Sequence, residues 1–575
     1  MAAMAGRWRR SYGLAALLLF AVYASSDAGA HDMAAHSDVE ASQAMANHTR
    51  AEENGEGHSE GHGEGHGEAH VEAEAHGEAH GDHGEAHGEA HGGGHSTGEH
   101  HGHNGHPKPS VQGVTVSVML LGFVGFIMAL YYLVNWFDED IRLYTWKMIS
   151  ATLSIFLAVL SFSAFEKAIH YYLDERFTQI LVNVDGCIGH LLVGLLLFLL
   201  LGGLAQVILH ITRTDLPSLV AHGSIWGHIC GFAAIHAFFA LESSSPFNES
   251  WMNMAMIIPI FLIVSFILVV AGKKLRSRVA EMDGVDDDTE ERWYHHCEEC
   301  ENDTICLALS FLMCAVIRYM ISGSMPSSHG SLGGRTRKEG LEMLGVGFGF
   351  ALLTVLSTAV VRQVTKTYGE EAKNKQRMAL ILQNFSAMGM SWQLYFGGQW
   401  LFYYYLPHVG PVSGKLIEAL IFSLICMACI LILDYVHDHA AEVNANALDA
   451  RGILDAHMKA MHALIQAGGV FVGISWESSF VSSLSTIAEY TTYPATTSNI
   501  IAACLVIVVY PAWRLYILPH ADEHVKERYG GKKPPISALF SGWKPHLDDY
   551  KSKMQKLRAN IPSHGQGQSY APMGA

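Results

Sequence analysis

The chain has 575 residues, of which half are apolar and only 16% are charged, and its mean hydropathy is +0.18. The acidic excess is concentrated in residues 31–106, which hold 17 of the 35 histidines and 16 acidic residues against one basic residue. This composition excludes an ordinary soluble enzyme, because the rest of the chain is too apolar to form a water-facing surface. It also excludes a nucleic-acid-binding protein, since no folded basic domain could neutralise phosphates.

The N-terminus has the pattern of a secretory signal peptide over residues 1–30. Three arginines precede a short apolar stretch at 14–24, and small residues at 28–30 form a cleavage site. The alternatives are an uncleaved signal anchor or the first part of a plastid-targeting leader. We therefore expect a secretory-pathway protein of the plasma membrane or an endomembrane, with an algal plastid membrane as the alternative.

Residues 31–110 predict a disordered tail, because they contain almost no large apolar side chains and repeat the sequence Gly-Glu-Ala-His. Neutral imidazoles beside carboxylates suit Zn²⁺ or Cu²⁺ with low specificity. Their ordinary pKa of about 6.5 would also let the tail sense pH. A hydrophilic spacer is the alternative. The metal-ligand candidates are His58, His62, His66, His70, His76, His80, His87 and His91.

Eleven apolar segments follow the tail, and most reach the roughly 20 residues needed to cross a bilayer as a helix. They predict an all-α polytopic membrane protein in contact with lipid. The segments are 114–136, 148–173, 188–211, 219–241, 254–272, 305–321, 344–361, 378–406, 416–435, 458–480 and 499–518.

The distribution of basic residues predicts the orientation. With the tail on the luminal or extracellular side, the cytosolic loops hold 14 lysines and arginines and the luminal loops hold 5. The N-glycosylation sequon at Asn248 falls on the luminal side in this arrangement, as does the sequon at Asn47 in the tail. The C-terminus is then cytosolic.

Short motifs recur at an offset of about 235 residues. Ala221-His222 and Glu242 bracket the fourth segment, and Ala456-His457 and Glu477 bracket the tenth with the same spacing. The offset predicts two parallel five-helix repeats joined by a linker helix. The expected division is membrane repeat 1 at 111–285, a cytosolic loop and linker helix at 286–340, membrane repeat 2 at 341–520, and a cytosolic tail at 521–575.

Ionisable residues inside apolar segments are expensive and indicate an ion pathway or a packing contact. Glu166 lies within the second segment, and at the repeat offset it corresponds to Gln399. We predict that these two residues face each other. The candidate ion path also includes the two repeated His–Glu pairs, which are His222 with Glu242 and His457 with Glu477.

The membrane histidines allow a different function. Antiparallel third and fourth segments could pair His190 with His236 and His210 with His222, as a b-type haem requires. The depths of the two pairs do not match. Haem is a cofactor only under this alternative, in which the protein is a transmembrane haem oxidoreductase.

A further motif lies between the fifth and sixth segments. His295, His296, Cys297 and Cys300 have the residue types of a zinc site at tight spacing. A solvated acidic loop explains the same stretch equally well.

These patterns predict a multi-pass transporter or channel for a small cation, either a proton or a divalent metal ion. The tail would supply or sense that ion. The alternatives are the haem oxidoreductase and a membrane scaffold or receptor that transports nothing.

Overall fold

In the computed structural model, the described residues are 111–169, 186–283, 287–327, 334–368, 373–407, 409–444 and 450–528. The predicted signal peptide, the histidine-rich tail, the sequon at Asn47 and the chain after residue 528 lie outside them. Every regular element in the described ranges is helical, so the prediction of an all-helical fold is confirmed for these residues.

Fourteen α-helices form the described part of the chain, with a 3₁₀ turn at Phe247–Glu249 and a π-helical turn at Trp513–Ile517. In chain order they are α1 (Val111–Val134), α2 (Glu139–Ile169), α3 (Gly186–Thr212), α4 (Leu216–Glu242), α5 (Trp251–Ala255), α6 (Ile257–Asp283), α7 (Asp287–Ser322), α8 (Arg337–Tyr368), α9 (Lys373–Tyr405), α10 (Pro411–Asn444), α11 (Ala450–Glu489), α12 (Pro494–Ala512), α13 (Leu518–Ala521) and α14 (Glu523–Arg528).

Eight stretches of the described chain are long and apolar enough to cross a membrane. They comprise α2, α3, α4, α5 with α6, α7, α8, α10 and α12 with α13. These stretches fit an integral membrane protein in contact with lipid. Within the described residues, three of the eleven expected spans fall outside this set: α1 has an apolar stretch at Met119–Val134, and α9 and α11 are more polar.

The helices differ in how much of their apolar surface is buried. In α7, 67% of the apolar window is buried inside the bundle, whereas the values for α6, α8 and α12 are 22%. Apolar side chains without internal contacts on α6, such as Phe266 and Ile267, are exposed. Such a surface needs an apolar solvent, and lipid supplies it.

The helix contacts close into a circuit. α4 packs against α2, α2 against α11, α11 against α9, α9 against α7, and α7 against α4. The remaining long helices pack on the outside of this circuit, with α3 on α4, α8 on α9, and α10 on α11. The two polar helices α9 and α11 therefore lie between more apolar neighbours, and this placement buries their polar side chains.

Three boundaries differ from the sequence-based division. α7 begins at Asp287, so the residues expected to form a cytosolic loop before the sixth segment are helical. α11 continues to Glu489, which places Glu477 three turns inside its helix instead of at the end. α4 ends at Glu242, as its motif predicted.

Candidate functional site

Two faces of the bundle are useful for describing the site. We call the face with the α9–α10 connection the upper face, and the face with the α10–α11 connection the lower face. α2 and α11 approach closely at Gly469, near the middle of α11. A β-carbon at this position would lie 2.6 Å from the β-carbon of Ala151, so only glycine fits there. The hydroxyl of Thr152 donates a hydrogen bond to the Gly469 carbonyl at 3.1 Å.

The upper cluster consists of Tyr395 and Gln399 of α9, Lys415 and Glu418 of α10, and Glu477 of α11. Gln399 donates its amide N–H to the Tyr395 hydroxyl at 3.4 Å. The carboxylates of Glu418 and Glu477 both act electrostatically on that hydroxyl, and Lys415 acts on both carboxylates. Three helices thus bring five polar side chains together, including Gln399 and Glu477 from the predicted ion path.

Several atoms of the upper cluster have unused hydrogen-bonding capacity. Glu418 is 2% exposed and Gln399 is 0% exposed. One side-chain oxygen of each residue and the hydroxyl of nearby Tyr403 have no hydrogen-bond partner among the described residues. Lys415 donates to the Ser482 hydroxyl at 2.8 Å. A buried carboxylate without a full set of partners is costly unless it is protonated or hydrated, so the cluster is suited to binding a proton.

Polar groups continue from the upper cluster towards the middle of the bundle. The Trp476 indole donates to the Ser423 hydroxyl at 2.9 Å, which joins α11 to α10. The Ser391 hydroxyl donates to the Ala467 carbonyl at 2.7 Å, which joins α9 to α11. The amide of Gln393 is fully buried and has no hydrogen-bond partner in the described ranges. Polar side chains therefore line the contact between α9, α10 and α11 below the upper cluster.

The lower pair consists of Lys147 of α2 and His462 of α11. The Lys147 ammonium lies 3.3 Å from both ring nitrogens of His462. The ring of Tyr144 is edge-on to the same imidazole, with centroids 5.7 Å apart. The pair is near the lower face, and His462 is on the same helix that contributes Glu477 to the upper cluster. Lys147 directly precedes the second predicted segment and His462 lies inside the tenth. An ionisable residue in or beside an apolar run was the sequence signal for both.

Glu166 has a different contact from the one we predicted. Its carboxylate accepts a hydrogen bond from Nδ1 of His236 at 2.9 Å, which joins α2 to α4. The two side chains are 28% and 30% exposed. The proposed neighbour, Gln399, contacts Tyr395 instead. The sequence identified Glu166 and His236 as candidates but assigned them to two different hypotheses.

The histidines considered for haem contact other residues. His210 lies edge-on to Trp293 of α7, with centroids 5.1 Å apart. His222 stacks on Tyr510 of α12, with centroids 6.0 Å apart. The two rings therefore face different helices and do not form the predicted pair. The side chain of His190 lies outside the described part of the chain, and its proposed partner His236 contacts Glu166.

The predicted His–Glu pairs of the two repeats are in unlike environments. Glu242 is 0% exposed, and neither of its carboxylate oxygens has a hydrogen-bond partner among the described residues. Glu477 belongs to the upper cluster, beside Lys415. His457 is half-buried near the start of α11. Glu242 closes its helix, as the motif indicated, but its carboxylate is buried.

The zinc-like motif is divided between two faces of α7. His295, His296 and Glu299 have ligand atoms within 4.8 Å of one another. Cys297 and Cys300 are buried in the hydrophobic core and do not belong to that group. The four-residue zinc set is therefore not assembled, because helical geometry directs the cysteines inward and the histidines outward.

The sequon at Asn248 is partly accessible in a short turn after α4. Its side-chain amide donates to the Ser243 carbonyl at 3.0 Å.

Comparison with protein-family models, with curated proteins and with solved structures finds no match to this chain.

Proposed function

We propose that this protein is a membrane transporter or channel that moves protons along the contact between α2, α9, α10 and α11. The observation that carries the proposal is the position of the upper cluster and the lower pair on one helix. Glu477 and His462 both belong to α11, fifteen residues or about 22 Å apart along the helix axis. Intramembrane ionisable groups that line one path are typical of proton relays.

The chemistry of the route favours protons over metal ions. Lysines stand at both ends, as Lys415 in the upper cluster and Lys147 in the lower pair. A lysine ammonium repels a divalent cation but takes part in hydrogen-bonded proton transfer. Carboxyl, imidazole and phenol groups are the side chains that donate and accept protons in relays, and the route contains all three.

We include α1, α9 and α11 among the membrane crossings, which gives eleven in all, three more than the eight stretches of the described chain that are long and apolar enough by themselves. α9 and α11 have 33 and 40 residues, so each is longer than the roughly 30 Å hydrocarbon core. Both pack along apolar helices, and their polar residues face the interior. A helix that lines a polar route inside a bundle does not need lipid-compatible composition on every side.

The proposed two-repeat architecture has partial support from helix packing. The contact of α3 with α4 has its counterpart in α10 with α11, and that of α2 with α4 has its counterpart in α9 with α11. The linker α7 packs against both α4 and α9. We further propose that the lower face is cytosolic, because the basic residues of the loops are concentrated there.

The test is proton flux into proteoliposomes that contain the purified full-length protein. A potassium gradient with valinomycin sets the membrane potential, and a trapped pH-sensitive dye reports the flux. We expect flux above that of protein-free vesicles, and a large loss of it in Glu418→Gln. Glu342→Gln is the matched control, because Glu342 lies on α8 in an ion pair with Lys338 outside the route. Wild-type flux equal to that of protein-free vesicles would contradict the proposal.

A further inference from the structure

Three carboxylates converge at the lower face, next to the lower pair of the proposed proton route. Asp138 ends the short connection between α1 and α2, Asp140 lies in the first turn of α2, and α10 contributes Asp434. One oxygen from each lies within 4.8 Å of the others. We call these three residues the aspartate triad. The backbone N–H of Asp140 donates to the Asp138 carboxylate at 2.8 Å, which fixes the turn that begins α2.

The negative charge of the aspartate triad is not balanced by a basic side chain. In the described residues, neither lysine nor arginine forms an ion pair with any of the three. Arg142 is nearby in sequence, but it pairs with Glu139 at 3.9 Å and donates to the Trp136 carbonyl at 3.0 Å. Like charges at such distances repel, so a bound cation or bound protons would relieve the repulsion between the three acids.

A second observation, independent of the acids, points to a ligand at this place. Tyr144 is 1% exposed, and its hydroxyl has no hydrogen-bond partner among the described residues. The charges that act most strongly on this hydroxyl are those of Asp140 and Asp434. The phenol therefore lies beside the triad, with an oxygen lone pair available to a bound ion or to its water shell.

His437 gives the same indication from α10. It is 6% exposed, and its Nδ1 has no hydrogen-bond partner within the described ranges. Its charge acts on both Asp140 and Asp434. Two nearly buried polar side chains with unused hydrogen-bonding atoms thus border three carboxylates.

We propose that the aspartate triad binds one divalent cation, with the Tyr144 hydroxyl completing the coordination directly or through water. A set of carboxylate and hydroxyl oxygens suits a hard ion such as Ca²⁺ or Mg²⁺. The ion would neutralise the repulsion between the acids and tie the α1–α2 connection to α10. The site borders the proposed proton route through Tyr144, but ion binding by the three carboxylates does not depend on proton movement along that route.

Equilibrium dialysis of the purified full-length protein in detergent tests the site. Radioactive Ca²⁺ is the first probe, and Mg²⁺ measured by atomic absorption is the second. The tail contains sixteen acidic residues, so any ion it binds is the same in every variant and cancels when the variants are compared. Wild type is compared with Asp434→Asn, Asp140→Asn and Tyr144→Phe. The control is Glu342→Gln, which removes a carboxylate far from the triad.

We expect wild type and Glu342→Gln to bind one more ion per chain than either Asp→Asn variant at the same free concentration. Loss of a ligand should weaken this class of site by about tenfold or more, and Tyr144→Phe should weaken it less. If the buried Asp434→Asn variant does not fold, Asp140→Asn and Tyr144→Phe decide the question. Equal binding of both ions by wild type and the folded variants would overturn the site.

The same preparations separate this inference from the proposed function. Ion binding at the triad without proton flux would support the site and contradict the proton route. Proton flux with no triad-dependent ion binding would support the route and overturn the site.

Discussion

Two glutamates with little solvent exposure, Glu301 and Glu418, differ in how many of their carboxylate oxygens have a partner. Both carboxylate oxygens of Glu301 on α7 are bonded, one to Arg276 at 2.5 Å and the other to Arg377 at 2.8 Å. Glu418 on α10 is more deeply buried, and one of its oxygens has no hydrogen-bond partner in the described part of the chain. A paired carboxylate fixes helices in place, whereas an under-paired one retains the capacity to bind.

The surroundings of the two carboxylates explain the difference. Arg276 comes from α6 and Arg377 from α9, so Glu301 joins three helices through complementary charges. Asn302 adds a hydrogen bond to Arg377 at 2.8 Å. The charge of Glu418 instead acts on the Tyr395 hydroxyl, on which a second acid, Glu477, also acts and to which Gln399 donates. Lys415 is the one base acting on this cluster, and two carboxylates share it.

The first prediction removes the charge of Glu301, the carboxylate that is paired with two arginines. We expect Glu301→Gln to lower the free energy of unfolding by about 3 kcal/mol, because Arg276 loses its ion pair and Arg377 keeps only the longer one to Glu298 at 3.5 Å. Thermal unfolding in detergent measures this change. A variant as stable as wild type would show that the network contributes little to the fold. Lys338→Met, at an exposed ion pair, is the control and should change stability little.

The second change removes the charge of the under-paired glutamate. We expect Glu418→Gln to reduce proton flux by about 100-fold, the lower range of what a positioned proton-transfer group contributes. Its stability should change much less than that of Glu301→Gln, because no ion pair with a close oxygen is lost. Flux and thermal unfolding are measured on the same preparation. A large loss of stability together with normal flux would reverse the roles that we assign.

The third change concerns a carboxylate between these extremes. Glu166 has His236 as a partner but is more than a quarter exposed. We expect Glu166→Gln to cost at most about 1 kcal/mol of stability, as for an accessible pair. It should also reduce proton flux by less than Glu418→Gln does. A loss of flux as large as that of Glu418→Gln would place the α2–α4 contact on the route.

The smallest effect on the bundle is expected from the histidine-rich tail. Its residues 31–106 should bind Zn²⁺ or Cu²⁺ weakly and release them below about pH 6, because protonated imidazoles are not ligands. Calorimetry on a peptide of this region measures the binding. No heat with either ion at neutral pH would contradict it. Removal of the same residues should leave the proton flux of the bundle largely unchanged.

The helices could largely be predicted from the sequence, because apolar runs of about 20 residues have few alternatives in lipid. The pairing of side chains could not. Lys147 and His462 are 315 residues apart, and only the contact between α2 and α11 brings them together. The repeat identified Glu477 but placed it at a helix end, since nothing in the motif shows that α11 continues to Glu489.

Short motifs did not predict the contacts of their side chains, for a related reason. The His295–Cys300 stretch has ligand residue types, but the helix it forms points them in different directions. The histidines of α3 and α4 could pair by depth alone, yet His210 and His222 contact α7 and α12. Residue type and spacing within one segment do not determine which neighbouring helix a side chain meets.

The central claim is that the upper cluster and the lower pair belong to one proton route. It is tested most directly by a double-mutant comparison of proton flux in proteoliposomes, with Glu418→Gln, His462→Gln and the two combined. Groups in series on one route act as a unit, so each single variant should strongly reduce flux and the double variant should lose no more than the worse of them. Independent losses that multiply in the double variant, or normal flux in either single variant, would contradict the claim.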